Sequence, residues 1–423
     1  MSKIAVVGTG YVGLTTGAYL AHLGHEVVCG DVVPEKVERL QRGELPIYEP
    51  GLDELVTEGL GNGRLSFVLG ACPAAHDAEF VFLCVPTPQG EDGRADLSYV
   101  QGAADEIGKC LTPGAIVINK STVPVGSARV VERALKRSDV HVVSNPEFLR
   151  EGSAVHDCLH PDRIVIGSDD RQAGERVAGL FAALDAPVII TDPQAAETIK
   201  YVSNAFLATK ISFVNAVAAI CDNVGADVAE VVRGVGLDKR IGEQFLQPGP
   251  GWGGSCFPKD TLALIGIAEE AGYDFGLLKS VVDVNNAQYE RIVAKIQRMA
   301  GGMLRGRVVA VWGLTFKAHT DDQRESPALH VIRRLLKKGA TVMAFDPTAE
   351  SSIDGVEVCS SPYDAVQDAD VLAVLTEWPE FVGLDLEKVS ELMATPRMVD
   401  ARNLFDPAAV RVAGIEYEGI GRH

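Results

Sequence analysis

The chain has 423 residues, which is too long for a single hydrophobic core, so we expect two or three domains. Its formal net charge of −19 argues against a nucleic-acid partner, and any anionic ligand must therefore be held by local cations. No apolar run of about 18 residues occurs, so no membrane contact is expected. The eight cysteines are scattered without a C-x-x-C pair, which argues against a metal site and a disulfide framework and favours a reducing cytoplasm.

The first elements predict a dinucleotide-binding unit. Residues 3–8 form a buried strand, which leaves no room for a signal peptide before it. Gly8, Gly10 and Gly13 then open a helix, and a second strand follows. In this context Gly8 makes the turn, Gly10 admits a pyrophosphate to the helix N-terminus, and Gly13 lets the helix pack on the strand.

Polar residues at predicted strand ends extend this unit. Asp31 ends the second strand, where a carboxylate binds a ribose 2′-hydroxyl, and this favours NAD over NADP. Lys36, one turn later, either reaches the same ribose or remains a solvated helix charge. Two further strands are predicted to end at Thr87 and Thr122. Ligands of parallel sheets bind at such ends, so both threonines are candidate contacts on the nicotinamide side.

Two polar pairs follow along the chain. Glu147 and Glu151 are four residues apart and share a face if their segment is helical, either as solvated charges or as part of a site after an Asn-Pro turn. A long helix is predicted from Gln194 to Asn223, apolar nearly all round and therefore buried in a core or between subunits. Lys200 and Asn204 share one face of it, and buried lysine is rare unless it is paired or functional.

The segment 248–260, PGPGWGGSCFPKD, is a glycine- and proline-rich loop followed by a helical pattern. Pro258 suits the first helical turn, which places Cys256 just ahead of a helix N-terminus. The helix dipole and Lys259 favour a thiolate there, and Asp260 adds a carboxylate. A free cysteine is more often a small buried hydrophobe, but this setting favours a nucleophile that captures a carbonyl group.

A second α/β unit begins at residues 307–316 and repeats the first one loosely. The third glycine of the fingerprint is missing, since the chain continues from Gly313 to Lys317 in its place. This half therefore resembles a nucleotide-binding fold that does not hold a dinucleotide. Lys317, Arg324 and Arg402 fall at predicted strand ends or in the following loops, where cations suit a phosphate or diphosphate, the alternative being ordinary surface charge.

Eight segments form a specific set when they are taken in chain order: GTGYVG, CVPTP, KSTVPVG, NPEFLREG, PDRIVIG, TIKYVSNAFLATKISFVNA, KRIG and GPGWGGSCFPKD. With this set the chain resembles the UDP-glucose/GDP-mannose dehydrogenase family over nearly its whole length. The expected fold is α/β, with two Rossmann-like doubly wound parallel-sheet domains joined by a long central helix. The expected domains are an NAD-binding domain at 1–193, a central helical dimerisation region with the cysteine loop at 194–300, and a UDP-sugar-binding domain at 301–423.

The resemblance implies a four-electron oxidation of UDP-glucose at C6 with NAD as the cofactor. A first hydride removal gives an aldehyde, which Cys256 attacks to form a thiohemiacetal. A second hydride removal leaves a thioester, which water hydrolyses to the carboxylate.

The family pattern also implies roles for individual residues. Lys200 and Asn204 stabilise the oxyanion, while Thr122, Glu151 and Asp260 position or activate water and Glu147 assists. The implied NAD contacts are Gly8, Gly10, Tyr11, Val12, Gly13, Asp31, Lys36, Thr87, Thr122, Glu151, Lys259 and Arg324. The implied sugar-nucleotide contacts are Phe148, Leu149, Arg150, Glu151, Lys200, Asn204, Phe245, Leu246, Gln247, Pro248, Gly249, Gly253, Lys317 and Arg402. Arg240 resembles an arginine that reaches a neighbouring subunit's substrate, which implies a homodimer or a higher homo-oligomer.

Several other functions compete with this interpretation. The same reaction on another sugar nucleotide, such as GDP-mannose, shares the NPEFLREG segment, whereas PDRIVIG and the central helix favour UDP-glucose. UDP-N-acetylhexosamine dehydrogenases usually lack the glutamate of NPEFL. Cys256 argues against a two-electron hydroxyacid dehydrogenase of similar architecture. A catalytically inactive NAD-binding regulator is disfavoured because all the catalytic residue types are present.

Overall fold

The computed structural model describes residues 1–88, 90, 95–348 and 354–422. The chain divides into two compact units, Met1–Ser203 and Asn204–His423. Each unit is built on one mainly parallel sheet with its own hydrophobic core. A long helix, Pro193–Val224, continues from the first unit into the second. The expected α/β fold of two parallel-sheet domains joined by a long helix is therefore confirmed.

The described residues of the first unit form one sheet of eight strands. They are β1 (Lys3–Val7), β2 (Glu26–Asp31), β3 (Leu65–Leu69), β4 (Phe80–Leu83), β5 (Ile116–Asn119), β6 (His141–Ser144), β7 (Ile164–Gly167) and β8 (Val188–Thr191). Their order is β3-β2-β1-β4-β5-β6-β7-β8, and every neighbouring pair is parallel except β6 with β7. Alternate residues of β1 enter two different apolar clusters, Ile4 and Val6 in one and Ala5 and Val7 in the other. This strand therefore buries both faces, as a doubly wound sheet requires.

Nine helices accompany this sheet in the described part of the chain. They are α1 (Tyr11–His22), α2 (Pro34–Gln41), α3 (Leu52–Gly61), α4 (Ala71–Ala75), α5 (Ser98–Ile107), α6 (Ser127–Leu135), α7 (Ala154–Leu159), α8 (Arg171–Gly179) and α9 (Pro193–Val224). The last of these was predicted from Gln194 to Asn223, and its position is confirmed.

In the second unit, the part of the chain that the structure describes forms a sheet of six strands. They are β9 (Val308–Trp312), β10 (Thr341–Phe345), β11 (Val356–Val358), β12 (Val371–Val374), β13 (Arg397–Asp400) and β14 (Glu416–Gly419). Their order, β11-β10-β9-β12-β13-β14, matches the order of the first six strands of the first sheet, which confirms the predicted repeat. The further helices are α10 (Val228–Gly236), α11 (Phe257–Glu270), α12 (Gly276–Met299), α13 (Pro327–Lys337), α14 (Pro362–Val366), α15 (Pro379–Val382), α16 (Leu386–Leu392) and α17 (Pro407–Val412).

Helix α9 is apolar and only partly covered. By length and composition alone it would suffice to cross a membrane, a test that the core helix of a soluble protein also passes, and 44% of its apolar window is buried. Five large apolar side chains along it are exposed: Val202, Phe206, Phe213, Ile220 and Val224. They recur at intervals of four and seven residues, so they form one stripe along the helix.

Two predicted strands end earlier than expected. Strand β4 stops at Leu83 and β5 at Asn119, so Thr87 and Thr122 lie in the segments after the strands and not at their ends. Both segments contain prolines, which cannot donate a ladder hydrogen bond. Side-chain contacts hold the backbone there instead, since the Ser121 hydroxyl donates to the carbonyl of Val85 at 2.7 Å.

The segment that carries Glu147 and Glu151 is not helical, so the condition under which the two carboxylates would share a helix face is not met. The next helix, α7, begins only at Ala154. Pro146 disfavours a helical conformation for the residue before it, and Gly152 adopts a positive φ of 78°, so a helix cannot run through this segment.

A disulfide joins Cys72 and Cys110, which contradicts the expectation from the scattered cysteines. The two residues are 38 positions apart in the sequence, and only the packing of α4 against α5 brings them together. The remaining six cysteines are not disulfide-bonded.

Candidate active site

The glycine turn of the first unit has the geometry of a pyrophosphate site. Gly8 adopts a positive φ of 95°, and its amide donates to the carbonyl of Gly30 at 2.8 Å. A Cβ atom on Gly13 would lie 1.9 Å from the carbonyl oxygen of Gly8, so only glycine permits this packing of α1. A Cβ atom on Gly10 would meet no atom within 4 Å, which leaves open space where α1 begins. This space and the helix N-terminus fit a dinucleotide pyrophosphate.

Asp31 lies at the end of β2, as predicted, and is tied to the glycine turn. Its Oδ2 accepts hydrogen bonds from the backbone amide and the hydroxyl of Thr9, at 2.9 and 2.6 Å. The ammonium of Lys36 donates to the same oxygen at 2.9 Å. Burial opposes ionisation of Asp31, but these hydrogen bonds and the Lys36 charge outweigh it and lower its pKa to about 2. An ionised carboxylate at this position fits the ribose of NAD.

Thr87 and Thr122, the two predicted contacts on the nicotinamide side, are joined by a hydrogen bond. The hydroxyl of Thr87, a buried residue, donates to the carbonyl of Thr122 at 2.8 Å. Thr122 lines a small, shallow depression in the first unit. Lys200 and Glu197 of α9 line it too, together with Asn119, Ser121, Val123, Ser144 and Pro146.

Lys200 is a buried, paired lysine. Its ammonium donates to Oε1 of Glu147 at 2.8 Å, and the two side chains are 3% and 4% exposed. Burial disfavours a charged Glu147, but the charge and hydrogen bond of Lys200 outweigh this and lower the pKa of Glu147. The other oxygen of Glu147 accepts the amide of Leu149 at 2.7 Å. Glu147 thus fixes both the lysine and the start of the predicted sugar-binding segment.

Three residues beside this pair were not identified from the sequence. Glu197 of α9 accepts hydrogen bonds from the amides of Gly126 and Ala128, at 2.6 and 3.1 Å. Its pKa is raised because burial outweighs these hydrogen bonds. The ammonium of Lys120 is buried and donates to Oδ1 of Asn145 at 3.0 Å, and burial lowers its pKa. These contacts join β5, β6 and α9 around Thr122.

The predicted sugar-nucleotide segment of the first unit follows Glu147. The guanidinium carbon of Arg163 lies 3.6 Å from the centre of the Phe148 ring, and the Lys200 ammonium lies 5.6 Å from it. Such stacking on cations fixes an aromatic ring in place. The exposed Arg150 side chain turns away to pair with Asp157 at 2.5 Å.

In the second unit Cys256 stands immediately before α11, and Pro258 lies in the first turn of that helix, as predicted. The Cys256 side chain is neither fully buried nor fully exposed, and its sulfur lies 3.6 Å from the hydroxyl of Ser255. Asp260, one turn into the helix, is completely buried and accepts hydrogen bonds from Asn204 at 2.7 Å and from Lys259 at 2.5 Å. The thiol therefore lies at a helix N-terminus, and the first turn of that helix carries a buried carboxylate held by Asn204 of α9 and by Lys259.

A buried polar network holds the loop that precedes Cys256. The side-chain amide of Asn285 accepts the backbone amide of Trp252 at 2.8 Å and donates to its carbonyl at 3.0 Å. The indole of Trp252 donates to the hydroxyl of Ser212 at 2.9 Å. The side-chain oxygen of Asn215 accepts the backbone amide of Gly249 at 2.8 Å, and the side-chain amide of Gln288 donates to the carbonyl of Gly249 at 2.9 Å. Helices α9 and α12 thus fix the loop backbone through side chains, which supplies the order a glycine-rich loop lacks.

The predicted phosphate-binding cations of the second unit have protein contacts of their own. Arg402 donates to the carbonyls of Leu375 and Phe316 at 3.0 and 2.8 Å and pairs with Glu377 at 2.8 Å. Its guanidinium lies against Gly249, where a Cβ atom would be 3.5 Å from it. Arg324 is exposed and pairs with Asp322 at 2.7 Å.

Three further predicted residues belong to the second unit. Phe245 and Gly253 lie close to or within the cysteine loop, and Arg240 lies on the surface of the unit. Phe245 adopts a positive φ of 62°, and its ring centre lies 6.4 Å from that of Phe257 at the start of α11. Gly253 packs so closely that a Cβ atom would lie 2.0 Å from the carbonyl oxygen of Glu325. Arg240 is 88% exposed and pairs only with its neighbour Asp238 among the contacts described.

The sequence contained a weak signal for some of the missed residues and none for others. Lys120 stands directly before Ser121 and Thr122, so a lysine at a predicted strand end was visible there. Asn285 and Gln288 lie in the middle of an ordinary helical pattern, where polar residues indicate solvent. Only the fold shows that this face of α12 is buried against the loop.

No group of three or more His, Cys, Asp or Glu side chains could hold a metal ion within residues 1–88, 90, 95–348 and 354–422.

A dinucleotide fingerprint followed by an ionised carboxylate, together with a thiol at a helix N-terminus, fits the class of NAD-dependent oxidoreductases. The chain belongs to the UDP-glucose/GDP-mannose dehydrogenase family. Its NAD binding domain model matches residues 2–185, its central domain model 194–287 and its UDP binding domain model 310–407. The resemblance seen in the motifs is thereby confirmed, and with it NAD as the cofactor.

Individual relatives match over the whole chain. UDP-glucose 6-dehydrogenase TuaD of Bacillus subtilis is 46% identical over 432 residues, which cover 100% of this chain and 94% of that protein. A UDP-glucose dehydrogenase structure from the archaeon Pyrobaculum islandicum has a TM-score of 0.92 at 41% identity, with 100% and 98% of the two chains covered. A UDP-D-ManNAc dehydrogenase structure from Pyrococcus horikoshii has a TM-score of 0.88 at 28% identity, with 99% of each chain covered.

Proposed function

We propose that the protein oxidises UDP-glucose to UDP-glucuronate in two successive NAD-dependent steps, with Cys256 as the covalent nucleophile. The observation that carries the proposal is the placement of Cys256 before α11, beside Asp260 and its partners Asn204 and Lys259. The full-length similarity to UDP-glucose 6-dehydrogenases at 46% identity supports UDP-glucose as the substrate. We further propose that residues 1–193 bind NAD, 194–300 carry the thiol and the subunit contact, and 301–423 bind the UDP moiety.

The chemistry balances in four steps. Loss of a hydride from C6 and of a proton from its hydroxyl gives the aldehyde. The Cys256 thiolate adds to the aldehyde carbon, and the resulting oxyanion takes a proton to give a thiohemiacetal. Loss of a second hydride and of the hydroxyl proton leaves a thioester, and attack of water releases the carboxylate and regenerates the thiol. Two molecules of NAD, bound one after the other in the first unit, would each accept one of the two hydrides.

The polar residues divide between charge stabilisation and water activation in this proposal. Lys200 and Asn204 donate to the C6 oxygen as negative charge develops on it, an electrostatic contribution that buried donors make efficiently. Asp260, with Thr122 and Glu151, orients the hydrolytic water. Glu147 assists by keeping Lys200 charged, because a buried lysine without a partner carboxylate would lose its proton more readily.

The stoichiometry of the reaction tests this function. Purified protein is supplied with limiting UDP-glucose, GDP-mannose or a UDP-N-acetylhexosamine, and the NADH formed per sugar nucleotide is measured at completion. We expect two NADH per UDP-glucose and much slower turnover of the others. One NADH per sugar would contradict the second oxidation, and no turnover of UDP-glucose would contradict the substrate.

Replacement of the thiol tests the covalent step. In Cys256→Ser we expect release of UDP-glucuronate to fall by at least about 100-fold, because a serine alcohol is a much poorer nucleophile than a thiolate. The matched control is Cys359→Ser, which replaces a partly exposed free cysteine directly after β11 and should retain activity. Normal release of the acid by Cys256→Ser would show that no thioester forms.

We propose that a second copy of the chain covers the apolar stripe of α9 to form a homodimer. Phe206, Phe213 and Ile220 are 64%, 61% and 60% exposed, which is unusual for large apolar side chains spaced along one helix face. The exposed Arg240 would be free to reach the partner's substrate. Phe206→Glu with Phe213→Glu should convert the dimer to a monomer in analytical ultracentrifugation, and a wild-type monomer would contradict the proposal.

We propose a cytoplasmic location, where the thiol of Cys256 stays reduced. Titration of free thiols in protein captured rapidly from cells under acid would test this. Eight free thiols per chain would mean that Cys72 and Cys110 are reduced in the cell, and six would indicate an oxidising compartment.

A further inference from the structure

Glu49 is a buried carboxylate that the proposed mechanism does not use. It lies in the irregular segment between α2 and α3, and only 4% of its surface is exposed. Both of its oxygens accept short hydrogen bonds from backbone amides. Oε2 accepts the amide of Gly152 and Oε1 the amide of Ala154, each at 2.6 Å. A carboxylate that takes two amide hydrogen bonds inside a protein is a fixed structural link.

A third donor connects Glu49 to the dinucleotide site. The hydroxyl of Tyr11 donates to Oε2 of Glu49, and the same hydroxyl accepts the amide of Gly152 at 3.1 Å. Burial, and then the Glu49 carboxylate, raise the pKa of Tyr11, so the phenol remains protonated and continues to donate. Tyr11 is the first residue of α1 and directly follows Gly10 of the glycine turn.

The amides held by Glu49 lie at the end of the predicted sugar-binding segment. Gly152 follows Glu151 directly, and Ala154 begins α7. The other end of that segment is anchored by Glu147, which accepts the amide of Leu149. Glu49 and Glu147 therefore grip the segment 148–152 from both ends, and Glu49 alone also contacts the first turn of α1.

We propose that Glu49 is a positioning residue that holds the segment 148–152 in its sugar-binding conformation and ties it to the pyrophosphate turn through Tyr11. This inference rests on the proposed function for the identity of the sugar nucleotide. The two backbone amides need two acceptor oxygens, which only a carboxylate offers. A glutamine at position 49 would direct its own N–H groups at one of these donors and release one end of the segment.

Steady-state kinetics and hydrogen exchange of the full-length protein test the proposal together. In Glu49→Gln we expect kcat/KM for UDP-glucose to fall at least tenfold while KM for NAD changes less than threefold. In the same variant without ligands, the amides of Gly152 and Ala154 should exchange at least tenfold faster, while those of β1 and α1 remain unchanged. Tyr11→Phe, which removes only the phenolic donor, should show a smaller effect in the same direction.

Glu44→Gln is the matched control, because Glu44 lies in the same connecting segment and pairs with Arg42 on the surface. It should behave as the wild type. Unchanged UDP-glucose kinetics and unchanged exchange in Glu49→Gln would overturn the proposal. The proposal would also be overturned if Glu49→Gln weakened the kinetics with NAD and with UDP-glucose equally and if amides exchanged faster throughout the first unit. Such a result would indicate that Glu49 has only a general structural role. If Glu49→Gln does not fold, the Tyr11→Phe results decide by the same criteria.

Exchange in the ligand-free protein does not depend on the substrate. A wild-type protein that fails to oxidise UDP-glucose would therefore refute the proposed function, while the exchange of Gly152 and Ala154 would still decide whether Glu49 holds the segment.

Discussion

The two α/β units share one strand order but differ at the turn where a dinucleotide would bind. After β1, Gly8 turns the chain directly into α1, and the helix N-terminus faces open space at Gly10. After β9, Gly313 makes the same turn with a φ of 94°, and its amide donates to Phe345 as Gly8 donates to Gly30. No helix follows at once there, because α13 begins only at Pro327. The second unit thus keeps the turn and loses the helix N-terminus.

The acidic residues after the second strands also differ. Asp31 is reached by Thr9 and Lys36, and its side chain remains partly exposed. Asp346, at the corresponding position after β10, is buried and accepts the amide of Leu314 at 2.7 Å and the indole of Trp378 at 3.1 Å. The ribose position of the second unit is thus filled by the protein's own donors.

This contrast shows which part of the fold determines the ligand. Sheet order and the first turn are shared, so they do not specify a dinucleotide. The features specific to the first unit are a helix that starts at the turn and a carboxylate that keeps some solvent exposure although Thr9 and Lys36 bind it. In the second unit the loop 313–326 replaces the helix start and carries Lys317 and Arg324, which are cations suited to phosphate.

The largest expected effect is on the stability of the first unit alone. The disulfide between Cys72 and Cys110 lies in the first unit and closes a loop of 38 residues. By the chain-entropy model, its removal in the double variant Cys72→Ser/Cys110→Ser should lower the free energy of unfolding of that unit by about 4 kcal/mol. The second unit, which has no disulfide among its described residues, should be unaffected.

Tryptophan fluorescence makes this difference measurable, because Trp252, Trp312 and Trp378 all lie in the second unit. In urea, the far-ultraviolet circular dichroism of the double variant should begin to fall well before the tryptophan signal. Cys359→Ser in the second unit is the control and should shift neither transition. Coincident transitions at the wild-type midpoint would contradict the prediction.

A smaller effect is expected at the glycine turn. In Gly13→Ala the new Cβ atom would lie 1.9 Å from the Gly8 carbonyl oxygen, so α1 must move away from β1. We expect a loss of NAD affinity on the order of 100-fold, about 3 kcal/mol, while UDP binding by the second unit is retained. Isothermal titration with NAD and with UDP measures both.

Gly102→Ala on α5 is the matched control for this substitution. A Cβ atom there meets nothing within 4 Å, and alanine is the better helix former, so NAD affinity should not change. An equal loss of NAD and UDP binding in Gly13→Ala would show that the clash unfolds the protein generally and does not act at the turn.

The sequence predicted the parts of the site that depend on local pattern. The glycine spacing, the acidic strand end at Asp31 and the proline after Cys256 each have a local physical meaning, and the structure places them as expected. The helix α9 was predicted within one residue at each end because its apolar pattern is long and uninterrupted.

The wrong or missing predictions concern features that depend on contacts between residues far apart in the sequence. The apolar runs continue to Thr87 and Thr122, so the sequence predicts strand ends there, yet both ladders stop earlier. Pro86 cannot extend the ladder of β4, and the amides of Lys120 and Ser121 after β5 both turn to the carbonyl of Leu83. The disulfide of Cys72 depends on packing between α4 and α5, which no spacing rule reveals. Asn285 was missed because a buried amide inside a helix has the same sequence pattern as a solvated one.

The smallest expected effect concerns the opposite response of two aspartates to pH. Burial raises the pKa of Asp400 in the second unit to about 6, although the amides of Phe405 and Arg402 oppose it. Its folded-state pKa exceeds its unfolded value, so its contribution to stability is complete below the unfolded pKa and is lost as pH rises through about 6. The pKa of Asp31 is lowered, so its contribution is lost only as pH falls toward about 2.

When the pH rises from about 4.5 to about 7, the ionisation of Asp400 should therefore lower the free energy of unfolding of the second unit by about 2 kcal/mol. Over the same range the contribution of Asp31 to the stability of the first unit should stay constant. Asp400→Asn mimics the protonated carboxyl and should remove this part of the pH dependence when urea unfolding is followed by tryptophan fluorescence. Glu391→Gln, an exposed carboxylate on α16, makes the same change in charge and should retain the wild-type slope. Identical slopes in the wild type and in Asp400→Asn would show that Asp400 is already ionised in this range, and the contrast between the two aspartates would then disappear.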